Sequence, residues 1–261
     1  MRQLDKIVQT LMTEGAFTEQ PGLFYGKTGI AVFFFHYARL TGNASFADYA
    51  MTLIEKAQKQ ITDKTSIRYD IGIAGIGTAV EYLLQNDFLE AKENDLFEEF
   101  DERMYRAAMH DPYSGFGLEG SLTGWGRYFI YRLRGSGHND SKLHEALKHI
   151  AKIISKKIKL NKIAEKERPD VYRFFHDLTS IPEYAGLYAH LLKSGLPPAP
   201  SNRGGGNNVL TEKIGQEWKN RKELDNNSIT NMGLLNGWAA EGMLYLTRFH
   251  NLDDSWMKLL L

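Results

Sequence analysis

A few acidic residues and one histidine stand where they could perform acid–base chemistry. Asp70 comes directly before a glycine-rich segment, and His176 is followed at once by Asp177. A carboxylate or imidazole so placed could transfer a proton or hold a polar group of a substrate. Alternatively, Asp70 caps the first turn of a helix, and His176 is an ordinary surface histidine, because adjacent residues rarely form a catalytic pair. Asp70 and His176 are therefore predicted as candidate catalytic residues, with Asp177 as a ligand-binding residue.

Three glutamates stand near the starts of apolar stretches, at Glu119, Glu183 and Glu241. Carboxylates in such positions stabilise the positive N-terminal end of a helix, and that role is sufficient for at least two of the three. Glu119 and Glu183 are also predicted to bind a ligand, since a polar ligand at the same helix ends would meet them.

The elements that must position these residues are indicated by a repeat. A short segment of small residues, here called an elbow, recurs five times and is followed each time by an apolar stretch. The elbows begin at Gly26, Gly72, Ser121, Ser180 and Gly237, which are 46 to 59 residues apart. This period is typical of a helical hairpin with its loops. Hairpins of this kind bury their apolar faces only by stacking on one another.

Apolar and amphipathic segments alternate along the chain. The apolar segments predict buried helices at 30–40, 76–84, 125–133, 187–192 and 243–249. The amphipathic segments predict further helices at 4–12, 46–61, 96–108, 143–158 and 209–218. The proline- and glycine-rich segment 196–208 cannot be helical, and it is either a loop over one end of the molecule or a long hairpin connection.

This alternation predicts an all-α fold, an α/α toroid of about five hairpins in a closed or an incomplete ring, in a single domain covering residues 1–261. The inner helices would run parallel, so that all five elbows open on the same end of the ring. Unpaired N–H groups and the helix dipoles make that end suitable for an anionic or strongly polar ligand.

The composition argues against several classes of partner. Lysine plus arginine equals aspartate plus glutamate at 32 each, so no net field attracts nucleic acid or a membrane surface. Cysteine is absent, which removes disulfides, thiol nucleophiles and thiolate metal ligands. Since the sequence shows neither a signal segment nor a run of about 20 apolar residues, we expect a cytoplasmic protein.

Two of the elbows resemble motifs of the lanthionine synthetase cyclase-like (LanC-like) family. Residues 69–76, Tyr-Asp-Ile-Gly-Ile-Ala-Gly-Ile, are similar to the family's Tyr-Asp-hydrophobic segment leading into Gly-Leu-Ser-Gly-Ile, with two residues fewer between Asp and Gly. Residues 233–240, Gly-Leu-Leu-Asn-Gly-Trp-Ala-Ala, are similar to its Gly-Leu-hydrophobic-X-Gly-X-Ala-Gly pattern. The resemblance implies an α/α toroid of the kind that closes thioether rings in peptides with zinc. Members typically have seven hairpins, so five imply a shortened ring.

The zinc ligands of that family have no counterpart in this sequence. The resemblance places Leu178 at one cysteine position, Leu235 and Asn236 at a Cys-His pair, and Gly120 at a histidine position. These side chains are not the donors that zinc requires, so neither a metal nor another cofactor is predicted. Of the family's catalytic set only the acid persists, as Asp70.

The resemblance therefore implies a LanC-like protein without zinc-dependent cyclase chemistry. Such a protein would bind a peptide or a polar small molecule in a central cavity, in connection with peptide modification. Tyr69, Asn236 and Trp238 complete the set of predicted ligand-binding residues.

Two alternatives remain open. One is a carbohydrate-active enzyme of the α/α-toroid type, in which two carboxylates face each other about 5 to 10 Å apart. The other is an interaction module with a filled centre and an exposed apolar patch. Whatever the function, a partner subunit or a second copy of the chain could supply missing hairpins.

Overall fold

The computed structural model describes residues 2–90, 95–135, 138–184, 186, 232–235 and 237–259. Within these ranges the regular structure is helical, which confirms the all-α prediction. The α-helices there are α1 (Arg2–Glu14), α2 (Lys27–Thr41), α3 (Ala44–Lys59), α4 (Ile73–Gln85), α5 (Asp95–His110), α6 (Leu122–Arg134), α7 (Ser141–Lys159), α8 (Arg168–Leu178) and α9 (Trp238–Phe249). The helices predicted at 187–192 and 209–218, and the segment 196–208, lie outside the described residues.

The chain forms two compact units. The first contains residues 2–61 with the described part of the C-terminal segment, and the second contains residues 62–184. The single domain over residues 1–261 stays a prediction. No helix of the described chain has both the length and the apolar composition needed to cross a bilayer.

Four of the five elbows provide the residue that precedes a buried helix. Gly26, Gly72, Ser121 and Gly237 each have extended backbone, and α2, α4, α6 and α9 begin one residue later. The helices therefore start three to five residues earlier than predicted. The small residues of an elbow do not lead into the helix but form its first turn.

The first turn needs small residues because another stretch of backbone crosses it. A Cβ atom added at Gly29 would overlap the carbonyl oxygen of Leu23, and one added at Gly124 would overlap that of Leu118. In these two elbows, the loop that leads into the helix is therefore folded tightly against the first turn of that helix.

In the second unit, α4 and α6 run parallel. The backbone N–H of Tyr69, just before α4, donates to the carbonyl oxygen of Glu119, just before α6 (2.7 Å). Near the other ends of the two helices, Arg132 Nη1 donates to Glu81 Oε2 (2.7 Å). Contacts at both ends in the same order establish the parallel direction, and they bring two helix N-termini side by side.

A third helix, α8, extends this parallel row. Near the start of α6, the N–H of Phe116 donates to Glu167 Oε1 (2.8 Å), which directly precedes α8. At the far end, Arg134 Nη2 donates to the carbonyl oxygen of Asp177 (2.9 Å). The amphipathic helices α5 and α7 pack against the row.

The fourth elbow does not follow the predicted pattern. Arg134, at the C-terminal end of α6, donates through Nε to Ser180 Oγ (2.5 Å), whereas the Ser121 elbow lies at the N-terminal end of that helix. The prediction that all five elbows open on the same end is therefore wrong for Ser180. The helix that does join the row, α8, has no small-residue elbow and begins instead with Pro169 in its first turn.

The first unit repeats the arrangement with α2 and α9. The N–H of Leu235 donates to the carbonyl oxygen of Phe24 (2.9 Å), so the two approach loops pair. One turn into α9, Gly242 lies against the ring of Phe33 in α2, where a Cβ would overlap the ring. The amphipathic helices complete this unit, α3 packing on α2 and α1 on α9.

A buried histidine in α2 makes the stability of the first unit sensitive to pH. His36 is 5% exposed, and burial, with a contribution from the charge of Arg39, lowers its pKa to about 4. Since the unfolded chain binds this proton near pH 6.5, unfolding is favoured as the pH falls from 6.5 toward 4. Between pH 7 and pH 5, the free energy of unfolding of the wild type should fall by about 2 kcal/mol more than that of the His36→Gln variant. Urea unfolding across this range tests the expectation, and parallel pH profiles would contradict it.

Candidate ligand-binding site

The paired N-termini of α4 and α6 carry a cluster of three charged side chains, Arg68, Asp70 and Glu119, here called the elbow cluster. Arg68 donates through Nε to Asp70 Oδ1 (2.8 Å) and through Nη2 to Asp70 Oδ2 (2.6 Å). Glu119 Oε2 lies 3.9 Å from the same Nη2 atom. One guanidinium is therefore flanked by two carboxylates at the end of two parallel helices.

The two partners of Arg68 differ in their exposure to solvent. The side chain of Asp70 is 5% exposed and that of Glu119 is 55% exposed, while that of Arg68 is 43% exposed. Asp70 thus anchors the guanidinium from the protein side, and Glu119 approaches it from the solvent side.

The structure decides between the two predicted roles of Asp70 only in part. The carboxylate does not cap α4, since that position belongs to Gly72, which makes no side-chain capping bond. Both carboxylate oxygens accept hydrogen bonds from Arg68. A carboxylate bound in this way holds a cation in place, so Asp70 positions Arg68.

Tyr69 lies behind the elbow cluster. Its side chain is fully buried, and its ring centroid is 6.0 Å from the guanidinium carbon of Arg127. Burial raises the pKa of Tyr69 well above its usual value, although the charge of Arg127 opposes this shift. The side chain was predicted to bind a ligand, but a ligand at the surface of the cluster would not reach it.

His176, Asp177 and Glu183 do not join the elbow cluster. His176 and Asp177 are in the last turn of α8, at the end of the row opposite to Asp70. Glu183 is exposed in the turn Pro182–Tyr184, and the Tyr184 hydroxyl donates to the carbonyl oxygen of His144 in α7 (3.0 Å). The prediction that these residues share one end with Asp70 and Glu119 is wrong, because α8 begins near residue 168, has His176 and Asp177 in its last turn, and is followed by the turn that contains Glu183.

At that far end, Asp177 holds a buried arginine. Arg127 Nη2 donates to Asp177 Oδ2 (2.8 Å), and His176 Nδ1 lies 3.5 Å from Asp177 Oδ1. Although burial opposes the shift, the bonds from His176 and Arg127 hold the pKa of Asp177 well below its usual range. The bond to Asp177 in turn raises the pKa of His176, whose side chain is largely exposed. This pair anchors α6 to α8.

A small cavity lies between α6 and α8. It measures about 10 Å³, and its lining includes the polar residues Thr123, Arg127, Asp170 and Asp177 among apolar neighbours. Arg127 is buried, and its Nη1 atom makes no hydrogen bond to any other described residue. The space is that of about one water molecule, so it is too small for a peptide or a sugar.

The remaining predicted site residues belong to the first unit. Trp238 is the first residue of α9 and is buried, as is Glu241 one turn later. Asn236 lies outside the described residues. Trp238 therefore contributes to the core of its unit.

Four charged residues with structural roles around these sites were missed by sequence reasoning: Arg68, Arg127, Glu167 and Asp170. Arg127 had a visible signal, because a charged residue inside a stretch predicted to be buried needs a partner. Glu167 and Asp170 flank Pro169, a pattern typical of a helix start. Arg68 stands two residues before Asp70 and gives no periodic signal.

The described residues do not fit a zinc ion. They contain no group of three histidine, cysteine, aspartate or glutamate side chains placed to hold a metal, and the whole sequence lacks cysteine. Structural and catalytic zinc sites need three or four such donors at about 2.0 to 2.3 Å. The side chains of the described residues therefore do not provide a zinc site.

Comparison with known families agrees with the geometry. The family described as lanthionine synthetase C-like protein matches residues 19–176, from the approach to α2 into the last turn of α8. No curated protein matches the sequence. The matched range covers more than half of the chain and includes the elbow cluster and the motif at residues 69–76, so the family resemblance is confirmed, while the motif at 233–240 lies outside the matched range. The chain belongs to the lanthionine synthetase C-like family, whose fold is the α/α toroid.

Proposed function

We propose that this LanC-like protein binds a carboxylate-bearing peptide or small polar molecule at the elbow cluster, without zinc-dependent thioether chemistry. The observation that supports this most directly is the half-exposed guanidinium of Arg68, held by a buried carboxylate where two helices begin. Guanidinium groups bind carboxylates with two hydrogen bonds and a defined geometry.

The helix ends favour an anion at the same place. α4 and α6 both begin beside the elbow cluster, so their positive dipole ends lie near it, while the first N–H groups of the two helices, those of Ile73 and Leu122, donate to the carbonyl oxygens of Ser66 and Gly115. Asp70 compensates Arg68 from the buried side, and the positive ends of the two helices offset the charge of Glu119 on the solvent side.

Glu119 has the position that a ligand carboxylate would take. Its Oε2 atom lies 3.9 Å from Arg68 Nη2, which is too long for a hydrogen bond, and its side chain is exposed. A ligand carboxylate closer to Arg68 would replace this weak contact. Glu119 would therefore compete with an anionic ligand and would help to exclude ligands of low affinity.

Charge-changing variants test the proposal with opposite expected signs. In fluorescence anisotropy titrations with a fluorescein-labelled acidic peptide, Arg68→Gln should weaken binding about tenfold or more, since a charge-assisted pair is lost. Glu119→Gln should strengthen binding severalfold, because it removes the competing carboxylate. Arg106→Gln, a change of the same charge at an exposed residue of α5, should leave the affinity unchanged.

The same titration gives the results that would reject the proposal. Equal effects of Arg68→Gln and Arg106→Gln would show a non-specific charge effect. Tighter binding of a basic peptide, lost in Glu119→Gln, would reverse the assigned ligand charge. Affinity that disappears on treatment with EDTA would show that a metal takes part.

A further inference from the structure

We infer that the start of α8 is the positioning element of the elbow cluster, with Glu167, directly before the helix, and Asp170, in its first turn, as the positioning residues. This inference rests on the proposed function for its ligand-binding consequence. Its structural part, that α8 holds the loop that carries Glu119, stands on hydrogen bonds of the second unit alone.

The two carboxylates bind the loop that leads into α6. Glu167 Oε1 accepts from the N–H of Phe116 (2.8 Å), and Asp170 Oδ2 accepts from the N–H of Leu118 (2.9 Å). These alternate N–H groups point toward α8. A Cβ at Gly115 would overlap Glu167 Oε1, so a larger residue at that position would push this carboxylate away from the loop.

On its other side, the same loop supports the residues of the cluster. The carbonyl oxygen of Glu119 accepts from the N–H of Tyr69 (2.7 Å) and from that of Asp70 (3.3 Å). Gly120 lies against the guanidinium of Arg68, where a Cβ would come within 2.8 Å of Nη1. Only the short loop 115–121 separates the α8 carboxylates from the cluster, so a shift of the loop moves Arg68, Asp70 and Glu119 together.

The surroundings of Asp170 make this contact strong. The carboxylate lies at the small cavity near Arg127, and burial raises its pKa, while the hydrogen bond from Leu118 and the charges of Arg127 and Arg173 oppose the shift. A hydrogen bond from a backbone N–H to a partly buried carboxylate is stronger than one between neutral groups in solvent. Asp170 thus binds the loop more firmly than an exposed side chain would.

The experiment compares variants that lack the two carboxylate acceptors with variants that carry an uncharged amide acceptor in their place. Glu167→Ala and Asp170→Ala delete the bonds to the loop, whereas Glu167→Gln and Asp170→Asn keep an oxygen acceptor. Glu165→Ala is the matched control, since Glu165 is exposed in the turn Glu165–Glu167 that precedes α8. Hydrogen exchange at the amides of Phe116 and Leu118 and the NMR signal of Arg68 Nε–H are measured in each variant.

The alanine variants should lose about tenfold or more of the amide protection, and the Arg68 Nε–H signal should shift. The amide variants should recover most of both, and Glu165→Ala should resemble the wild type. The affinity for the acidic peptide should fall about tenfold in the alanine variants only. Lost protection with an unchanged Arg68 signal would show that the loop is held by α8 but does not position the cluster.

Failure of the proposed function gives a different pattern. If the anisotropy titration shows that the wild type binds no acidic peptide, the proposal that the elbow cluster binds a carboxylate ligand is rejected. The Arg68 signal still decides whether α8 positions the cluster. Unchanged amide protection in both alanine variants would overturn the inference whatever the peptide does.

Discussion

Replacing Arg132 with methionine is expected to destabilise the protein by about 3–5 kcal/mol. Arg132 donates to Glu81 Oε2 (2.7 Å) and, through Nε and Nη2, to both oxygens of Asp101 (3.0 and 2.7 Å). Tyr128 donates its hydroxyl to the same Asp101 (2.5 Å). Methionine fills much of the volume but leaves the carboxylate of Glu81, whose side chain is 1% exposed, without its cation. The cost is that of a buried negative charge, not of lost packing.

A matched variant separates the buried network from surface charge. Lys142→Met also removes one positive charge from an ion pair, with Glu102, but both of those side chains are more than half exposed. Its expected effect is below about 1 kcal/mol. The double variant Glu81→Gln/Arg132→Met should recover part of the loss, since it removes the uncompensated charge. Urea unfolding of the three variants measures these differences, and an equal cost for Arg132→Met and Lys142→Met would reject the argument.

The parallel rows of helices could be predicted because their signals are local. Gly72 and Ser121 precede long apolar stretches, and close backbone packing at the first turn explains why small residues recur there. The amphipathic segments that alternate with the apolar ones form α3, α5 and α7, with starts and ends within a few residues of those predicted. Periodicity reports burial, so it identifies these elements well.

The direction and order of the helices were harder to predict where a helix begins with residues other than the small ones of an elbow. The start of α8 has Glu167 and Pro169 instead of a glycine elbow. The carboxylates of Glu167 and Asp170 bind the loop before α6, so side-chain hydrogen bonds replace the close backbone packing of an elbow. Reading Ser180 as the fourth elbow placed His176 and Asp177 at the wrong end of the row. A proline with flanking acids is as good a helix start as a small-residue turn.

The candidate site was predictable in its location but not in its chemistry. Asp70 and Glu119 were both expected at the N-terminal ends of buried helices, and the structure brings them to one guanidinium. Arg68 was missed because an arginine beside an aspartate in a loop is common and has no period. Its importance arises only when α4 and α6 lie side by side, and that is a tertiary contact.

The elbow before α6 gives the second large expected effect. Gly124→Ala should destabilise the protein by about 3 kcal/mol, because the new Cβ would overlap the carbonyl oxygen of Leu118 and come within 2.8 Å of the Cβ of Tyr69. A backbone oxygen cannot move aside by changing rotamer, and a shift of Leu118 would strain its bond to Asp170.

Gly15→Ala is the control for this prediction, since its Cβ would meet neighbours only at 3.4 Å, an ordinary contact distance. That variant should be neutral or slightly more stable, because alanine restricts the unfolded chain. Urea unfolding compares the two, and hydrogen exchange at Leu118 should show loss of protection in Gly124→Ala alone. A stable Gly124→Ala variant with normal protection would mean that the elbow before α6 has room for a side chain, and the tight crossing of this helix turn by Leu118 would then be incorrect.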